Sequence, residues 1–370
     1  MRICYLANAS SVHTHRWVKY FIEKGDDVHV ISFETAQIEG AKVHVLSLPV
    51  LVRSATFPLK IMSIYRIRNL VNRLKPDVVH AHYVTNYGLF GALCHFNPFV
   101  ITAWGSDVLN VPGSRLIAMI KKYIATYTLK KADLITCDAQ HMKEAMRKLS
   151  VPPEKVDIIY FGVDTRKFSP GEKSERLKAK LGVYGSPTVI SLRNLEPIYN
   201  IESLVKSVPL VLKEIPDAKF VIAGKGSEET KLEELAKSLG VETSMRFIGF
   251  VKNDELPEYL NTMDVYVSTS LSDAGIAAST AEAMSCGLPV IVTDTADNRK
   301  WVEDGLNGCV VPPKDPQSLA EGIVCLLKNG DVRKRFGNNN REIIEERNNY
   351  YKEMEKMEGI YKKLAQRYRK

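Results

Sequence analysis

Short runs rich in β-branched residues alternate with amphipathic stretches from the start of the chain. Residues 2–7, 28–33, 43–48, 77–82, 99–103, 133–137 and 156–160 are mostly continuous apolar runs, the pattern of parallel strands buried on both faces. Between them, stretches such as 15–24, 58–74 and 114–131 carry apolar residues at helical spacing. The alternation predicts an α/β, doubly wound fold. It restarts after residue 170, with strand-like runs at 188–192, 219–223, 245–250, 264–268 and 289–293. Between the halves lies FGVDTRKFSPGEKSERLKAKLG, residues 161–182, polar and rich in charge, which reads as a linker. The last thirty or so residues are charged and helical, with Met354, Met357, Tyr361 and Leu364 at three-to-four spacing. Such a tail either lies on the surface or packs back across the first half. The expected division is 1–165, 166–345 and 346–370.

Composition narrows the class without choosing an activity. At 370 residues the chain suits two domains. A net charge of +8 fits an anionic ligand, a nucleic acid or an anionic membrane surface. No arginine-rich tail, zinc spacing or RNP-type motif is present, so nucleic acid is not the expected partner. The six cysteines are scattered without paired spacing, as expected of reduced thiols in a cytoplasmic protein. The N-terminal apolar run is short and reads as a strand, not a signal peptide. No run approaches the ~20 apolar residues of a membrane span. A soluble or peripheral protein is expected.

The most informative segment is STSLSDAGIAASTAEAMSCGLPVIVTD, residues 268–294. It predicts strand, turn, helix and strand. Ser270, Ser272 and Asp273 are residue types that cap helices, and Gly275 permits close backbone approach. A helix starting near Ile276 aims its N–H groups and positive dipole end beyond the sheet, a site suited to a diphosphate. Glu282, two turns into that helix, suits either a ribose diol or a structural ion pair.

EAMSCGLPVIVTD resembles the signature of family 4 glycosyltransferases of the GT-B fold. The resemblance implies two Rossmann-like domains facing a central cleft, with a C-terminal helix crossing back to the first. It implies a UDP- or GDP-linked sugar donor bound by the second half, retaining transfer, and no metal or other cofactor. That family carries two glutamates eight positions apart. Glu282 matches the second, which holds the ribose, whereas the first falls at Ala274, with Asp273 as the neighbouring substitute for contact with the sugar. Backbone N–H groups at Gly275 and Ile276 then meet the diphosphate. FVIAGKGSEETKLEELAKSLG (220–240) and MRFIGFV (245–251) are similar to the family's nucleotide pocket, implicating Gly224, Lys225 and Ile248. The two glycines also fit a plain tight turn, and Lys225 a solvated side chain. VISLRNLEPIYNIESLVKSVP (189–209) is similar to the segment supplying an arginine and a lysine to the diphosphate. Arg193 fits the first, while Tyr199 or Asn200 stands where the lysine is expected.

The first half, the acceptor-binding half in that family, is less specific. The loop ANASSVHTHRW (7–17) offers Ser11, His13 and Thr14 at a strand end, either as acceptor contacts or as part of a helix start. DVVHAHYVTNYG (77–88) places His80 and His82 on one face of a strand, where they suit a polar strand end better than a metal. In VITAWGSDVL (100–109), Trp104 stands where many relatives have a histidine, which removes a histidine base there. Asp107 is a candidate catalytic or acceptor-holding group, or a cap. The basic, apolar stretches 51–76 and 114–131 suit either an anionic membrane with a lipid-linked acceptor, or ordinary sheet-covering helices and a saccharide acceptor. The expected activity is hexosyl transfer in cell-surface polysaccharide, glycolipid or glycan synthesis. Its rivals are a sugar-nucleotide epimerase and a non-catalytic nucleotide-sugar-binding protein.

Overall fold

The computed structural model describes residues 1–46, 63–105, 107–108, 115–273 and 275–369, with the side chains of 115–117 set aside. Expectations for residues 47–62, Ser106, residues 109–114 and Ala274 therefore lie outside the described residues. The chain forms two compact units, Met1–Phe161 with Tyr351–Lys370, and Gly162–Tyr350.

The first unit is built on seven strands: β1 (Arg2–Leu6), β2 (Asp27–Ser32), β3 (Lys42–Val45), β4 (Val78–His82), β5 (Phe99–Thr102), β6 (Leu134–Cys137) and β7 (Val156–Ile158). All pairings are parallel, in the order β3-β2-β1-β4-β5-β6-β7. The order reverses between β1 and β4, so helices cover both faces and the inner strands need apolar residues on both sides. Ile3, Cys4, Tyr5 and Leu6 are accordingly all fully buried.

One face is covered by the helix Val12–Glu23 and by the helix Tyr350–Arg369 from the far end of the chain. Met354, Met357 and Tyr361 are fully buried and Leu364 nearly so. At ~1.5–3 kcal/mol for each large apolar side chain, this stripe is what docks the tail. Polar contacts fix its register. Tyr20 donates to Glu358 at 3.0 Å, Tyr368 to Asp133 at 2.5 Å and Arg369 to Asp77 at 2.5 Å. The charged residues on the outer face gave the tail its surface-helix look.

The second unit has six parallel strands: β8 (Thr188–Leu192), β9 (Lys219–Ala223), β10 (Met245–Gly249), β11 (Val265–Ser268), β12 (Val290–Thr293) and β13 (Gly308–Val311). Their order is β10-β9-β8-β11-β12-β13, again reversing once, between β8 and β11. The segment 161–182 is folded into this unit. Its helix Glu175–Leu181 starts at Ser174, whose hydroxyl accepts from Leu177 N, and buries Leu177 and Leu181.

Candidate functional site

In a doubly wound sheet, ligands sit beyond the carboxyl ends of strands where the strand order reverses. In the second unit that place lies after β8 and β11, and a buried ion pair spans it. Arg193, the residue after β8, donates through Nη2 to Asp273 Oδ1 at 2.6 Å, with side chains only 9% and 12% exposed. The guanidinium also rests on the Tyr199 ring, 4.3 Å from its centroid. Tyr199 thus presents its aromatic face to Arg193. One contact does not exhaust the pair. Arg193 Nε and Asp273 Oδ2 are buried without a hydrogen-bond partner among the described residues.

Backbone packing holds Arg193 in place. A Cβ on Gly224 would lie 2.1 Å from the Arg193 carbonyl oxygen, and one on Gly226 2.2 Å from that of Leu195. Only glycine lets the loop after β9 press on the loop after β8. Leu195 N then donates to Lys225 O at 3.0 Å, and Gly224 N to Gly249 O at 2.8 Å. Three strand ends are thereby joined around the cation, and Lys225 itself is exposed.

Asp273 is not a helix cap. The helix Ala278–Ser285 begins two residues later than the expected Ile276, with Ala277 at its N-cap and no side-chain cap. Asp273 turns to Arg193 because a buried guanidinium demands a charged partner more strongly than a helix end does. Gly275 and Ile276, half-buried, lead into this uncapped end, and Glu282 lies in the second turn. Ile248 lines a 680 Å³ cavity with Leu181, Ala236 and Phe247, at the β10 edge of the sheet.

The first unit carries a matching feature at its own reversal. A cavity of about 450 Å³ is lined by Asn8, Ser11, His13, Thr14, Glu34, His82, Tyr83, Asn86, Tyr87 and Trp104. These residues end β4 or follow β1, β2, β4 and β5. His13 stacks on Trp104 with ring centroids 4.7 Å apart, and Phe161 meets both rings edge-on. Burial, with Arg16 beside it, pushes the His13 pKa down. His82 is 4% exposed. Its pKa is lowered to about 3 by burial, helped by His13, so the imidazole is neutral. Tyr83 adopts a φ of +77°, an unusual conformation for a bulky residue that tends to occur at functional sites.

His80, two residues back on β4, is committed elsewhere. It shares hydrogen bonds with Thr102 at 2.7 Å and with Tyr361, which also meets Tyr5 at 3.2 Å. Asp107 does not line the cavity. Its two oxygens accept from Val84 N at 2.7 Å and Trp104 N at 3.1 Å, while burial pushes its pKa up.

With two reversal points and a buried cation at one of them, the comparisons with known proteins become specific. The sequence model described as "Glycosyl transferases group 1" matches residues 173–343, and that described as "Glycosyl transferase 4-like" matches residues 2–139. The chain belongs to the group 1, family 4-like glycosyltransferases. This glycosyltransferase is 28% identical over 300 residues to an uncharacterized glycosyltransferase of Methanocaldococcus jannaschii, spanning 78% of this chain and 75% of that one. It is 26% identical over 203 residues, 53% of each chain, to a GDP-mannose-dependent phosphatidylinositol monomannoside mannosyltransferase of Mycolicibacterium smegmatis. In fold it is similar to Anabaena HepE in complex with UDP, at a TM-score of 0.81 and 19% identity over 98% of this chain and 100% of that one. A second structure, HepE in complex with UDP-glucose, gives a TM-score of 0.77. The fold is GT-B.

The structure of the glycosyltransferase gathers most of the residues singled out from sequence. Ser11, His13, Thr14, His82 and Trp104 share one cavity. Arg193, Asp273 and Tyr199 form one cluster, with Gly224 against it. Sequence reasoning missed Asn8, Glu34, Tyr83, Asn86 and Tyr87. Asn86 and Tyr87 stood within the HAHYVTNYG segment, whereas Glu34 lay past the end of β2 in a stretch without any motif. Among the described residues no helix is long and apolar enough to cross a membrane.

Proposed function

We propose that the glycosyltransferase moves a hexosyl group from a UDP- or GDP-linked sugar to an acceptor hydroxyl, retaining the anomeric configuration. The observation that carries this reading is the Arg193–Asp273 pair at the sheet reversal of the second unit, with one donor and one acceptor atom buried and unpaired among the described residues. Arg193 offers its Nε–H to the diphosphate, whose charge grows as the glycosidic bond breaks. A donor fixed in place beforehand contributes ~10²–10³ in rate. Beside it, the backbone at Gly275 and Ile276 and the uncapped end of Ala278–Ser285 supply further N–H groups and a favourable dipole. Asp273 Oδ2 accepts from a sugar hydroxyl, and Glu282 from the ribose diol. Asp107 is a positioning residue that holds Trp104. The acceptor binds over Ser11, His13, Thr14, His82 and Trp104. An indole offers no base, so the departing phosphate takes the acceptor's proton. No resident metal or other cofactor is part of this mechanism. The setting is assembly of a surface polysaccharide, glycolipid or other glycan.

Calorimetry with UDP, GDP and their sugars tests the donor half. Glu282→Ala removes hydrogen bonds to a charged acceptor worth ~1.5–3 kcal/mol, so affinity drops about 10- to 100-fold with the fold intact. Unchanged affinity refutes the ribose role, and NMR of the product anomer decides retention. One observation favours a second reading, a nucleotide-sugar-binding protein without turnover: Asp273 already neutralises Arg193. Donor binding without transfer to any acceptor supports that reading, and epimerised donor points to an epimerase.

A further inference from the structure

Tyr266, in β11, is fully buried, yet its hydroxyl reaches the first turn of the helix Ala278–Ser285. Ser279 Oγ lies 2.8 Å from it, and Thr280 donates to it at 3.4 Å. Of two hydroxyls in contact the phenol is the more acidic, so Tyr266 donates to Ser279. Burial pushes the Tyr266 pKa up, which keeps that proton in place at neutral pH. Arg193 and Asp273 act on the same phenol, the first lowering its pKa and the second raising it. Tyr266, Ser279 and the buried ion pair therefore share one neighbourhood.

Accepting from Tyr266 fixes how Ser279 can act. Its oxygen is engaged, while its own O–H meets no other partner among the described residues. The usual outlet for a helical serine is the carbonyl four residues back. That residue is Gly275, which precedes the helix. Ser279 is half-buried rather than sealed. It is the second residue of the helix, so its N–H has no intrahelical partner either. It precedes Glu282 by three residues and shares its face, about 4.5 Å closer to the helix start. Nearby, Arg193 Nε is buried and unpaired among the described residues. An O–H and an N–H at the positive end of a helix, beside a guanidinium, suit an anionic oxygen. A neutral carbonyl or hydroxyl gains from the two donors but little from the dipole or the cation.

We propose that Ser279 donates its hydroxyl proton to the phosphate next to the ribose of the sugar nucleotide, and that Tyr266 is the positioning residue that turns this proton outward. The inference rests on the reading of the second unit as the nucleotide-sugar site. With Glu282 on the ribose, the phosphate joined to that ribose is the nearest one, a turn toward the helix start. Arg193 then serves the outer phosphate.

The full chain is titrated with UDP, UMP and uridine, and with GDP, GMP and guanosine, by calorimetry for the nucleotides and saturation-transfer NMR for the nucleosides. Ser279→Ala is expected to weaken the diphosphate and the monophosphate about 10- to 100-fold, the effect of one hydrogen bond to a charged group. Nucleoside binding is expected to stay the same. Ser279→Thr keeps a hydroxyl and retains most of the affinity. Tyr266→Phe keeps the ring but frees Ser279 to turn, and costs about two- to tenfold. The double variant Tyr266→Phe/Ser279→Ala binds no more weakly than Ser279→Ala, because Tyr266 acts only through Ser279. Additive losses, or an equal loss of nucleoside affinity, make Tyr266 merely structural and overturn the positioning role. Unchanged nucleotide binding in Ser279→Ala overturns the proposal, and a loss confined to the diphosphate overturns the assignment to the inner phosphate. If Tyr266→Phe does not fold, Ser279→Ala decides, since alanine suits a half-buried helical position. An unaltered chain that binds no nucleotide sinks the donor reading itself. Nucleotide binding that Ser279→Ala leaves intact sinks this inference alone.

Discussion

The Arg193–Asp273 pair makes the sharpest prediction about stability. Both side chains are close to nine-tenths buried, joined by a single 2.6 Å contact. Removing one partner of such a pair strands a charge in a poorly solvated place, at a cost of ~3–5 kcal/mol. The lower end applies to Asp273→Ala, because Arg193 keeps the Tyr199 ring, 4.3 Å away, and a cation–π contact retains ~0.5–2 kcal/mol. About 3 kcal/mol in a unit of this size lowers its unfolding midpoint by about 6–12 °C. Arg193→Ala loses the Tyr199 contact as well and is expected to cost more. The double variant Arg193→Met/Asp273→Leu removes both charges and fills the space, so it is expected to recover most of the loss. Differential scanning calorimetry on the full chain measures the midpoints. Hydrogen exchange in β8 and β11 assigns the transition to the second unit. Two results refute the reasoning: Asp273→Ala melting with wild type, or the double variant melting below both single ones.

Four further outcomes are expected. Gly226→Ala drives a Cβ to 2.2 Å from the Leu195 carbonyl oxygen and costs ~1–3 kcal/mol together with nucleotide affinity. Gly240→Ala, with open space and φ +68°, loses only ~1–2 kcal/mol of backbone strain and leaves nucleotide affinity unchanged; calorimetry compares the two. Tyr361→Phe leaves His80 without one partner and destabilises the first unit by ~1–3 kcal/mol in urea unfolding. Asp27 is held well below the usual carboxylate range by hydrogen bonds from Lys42 and Arg2. Its contribution is therefore present above the unfolded value of about 3.9 and is lost as pH falls further. Asp27→Asn should flatten the fall in stability between about pH 5 and pH 2, and an unchanged slope would contradict that assignment. Met119, Ile120 and Tyr123 are 63%, 52% and 76% exposed beside Lys122. Vesicles with anionic lipid are expected to sediment the protein in a salt-sensitive way, less so after Met119→Ser/Tyr123→Ser, and neutral vesicles not at all.

Where a residue type admits only one physical role, the sequence announced it. Continuous runs such as VVHAH and FVIA belong to strands buried on both faces, and the observed strands coincide with them to within a residue or two, apart from β3, which ends at Val45. Strand β13 escaped notice because Gly308–Val311 is a short run followed by two prolines. The helix Glu175–Leu181 was hidden in a charged stretch, since two leucines suffice to dock seven residues. At the site, sequence gave the loops but not the partners. Asp273 looked like a cap because caps are set locally, whereas its choice of Arg193 depends on a residue 80 positions away. Glu34 carries no motif, and only the closing of β2 and β4 beside β1 brings it and Asn86 to the cavity.

The helix Tyr350–Arg369 has a consequence for how the protein is made. The first unit's sheet is complete in the chain by residue 158, yet the helix that covers Tyr5, Phe21 and His80 is translated after the whole of the second unit. At ~5–20 residues per second, the intervening 162–350 segment keeps that face waiting for roughly 10–40 s. A nascent chain therefore carries an open aromatic surface through most of its synthesis. The first unit can complete its packing only after the second unit has been made.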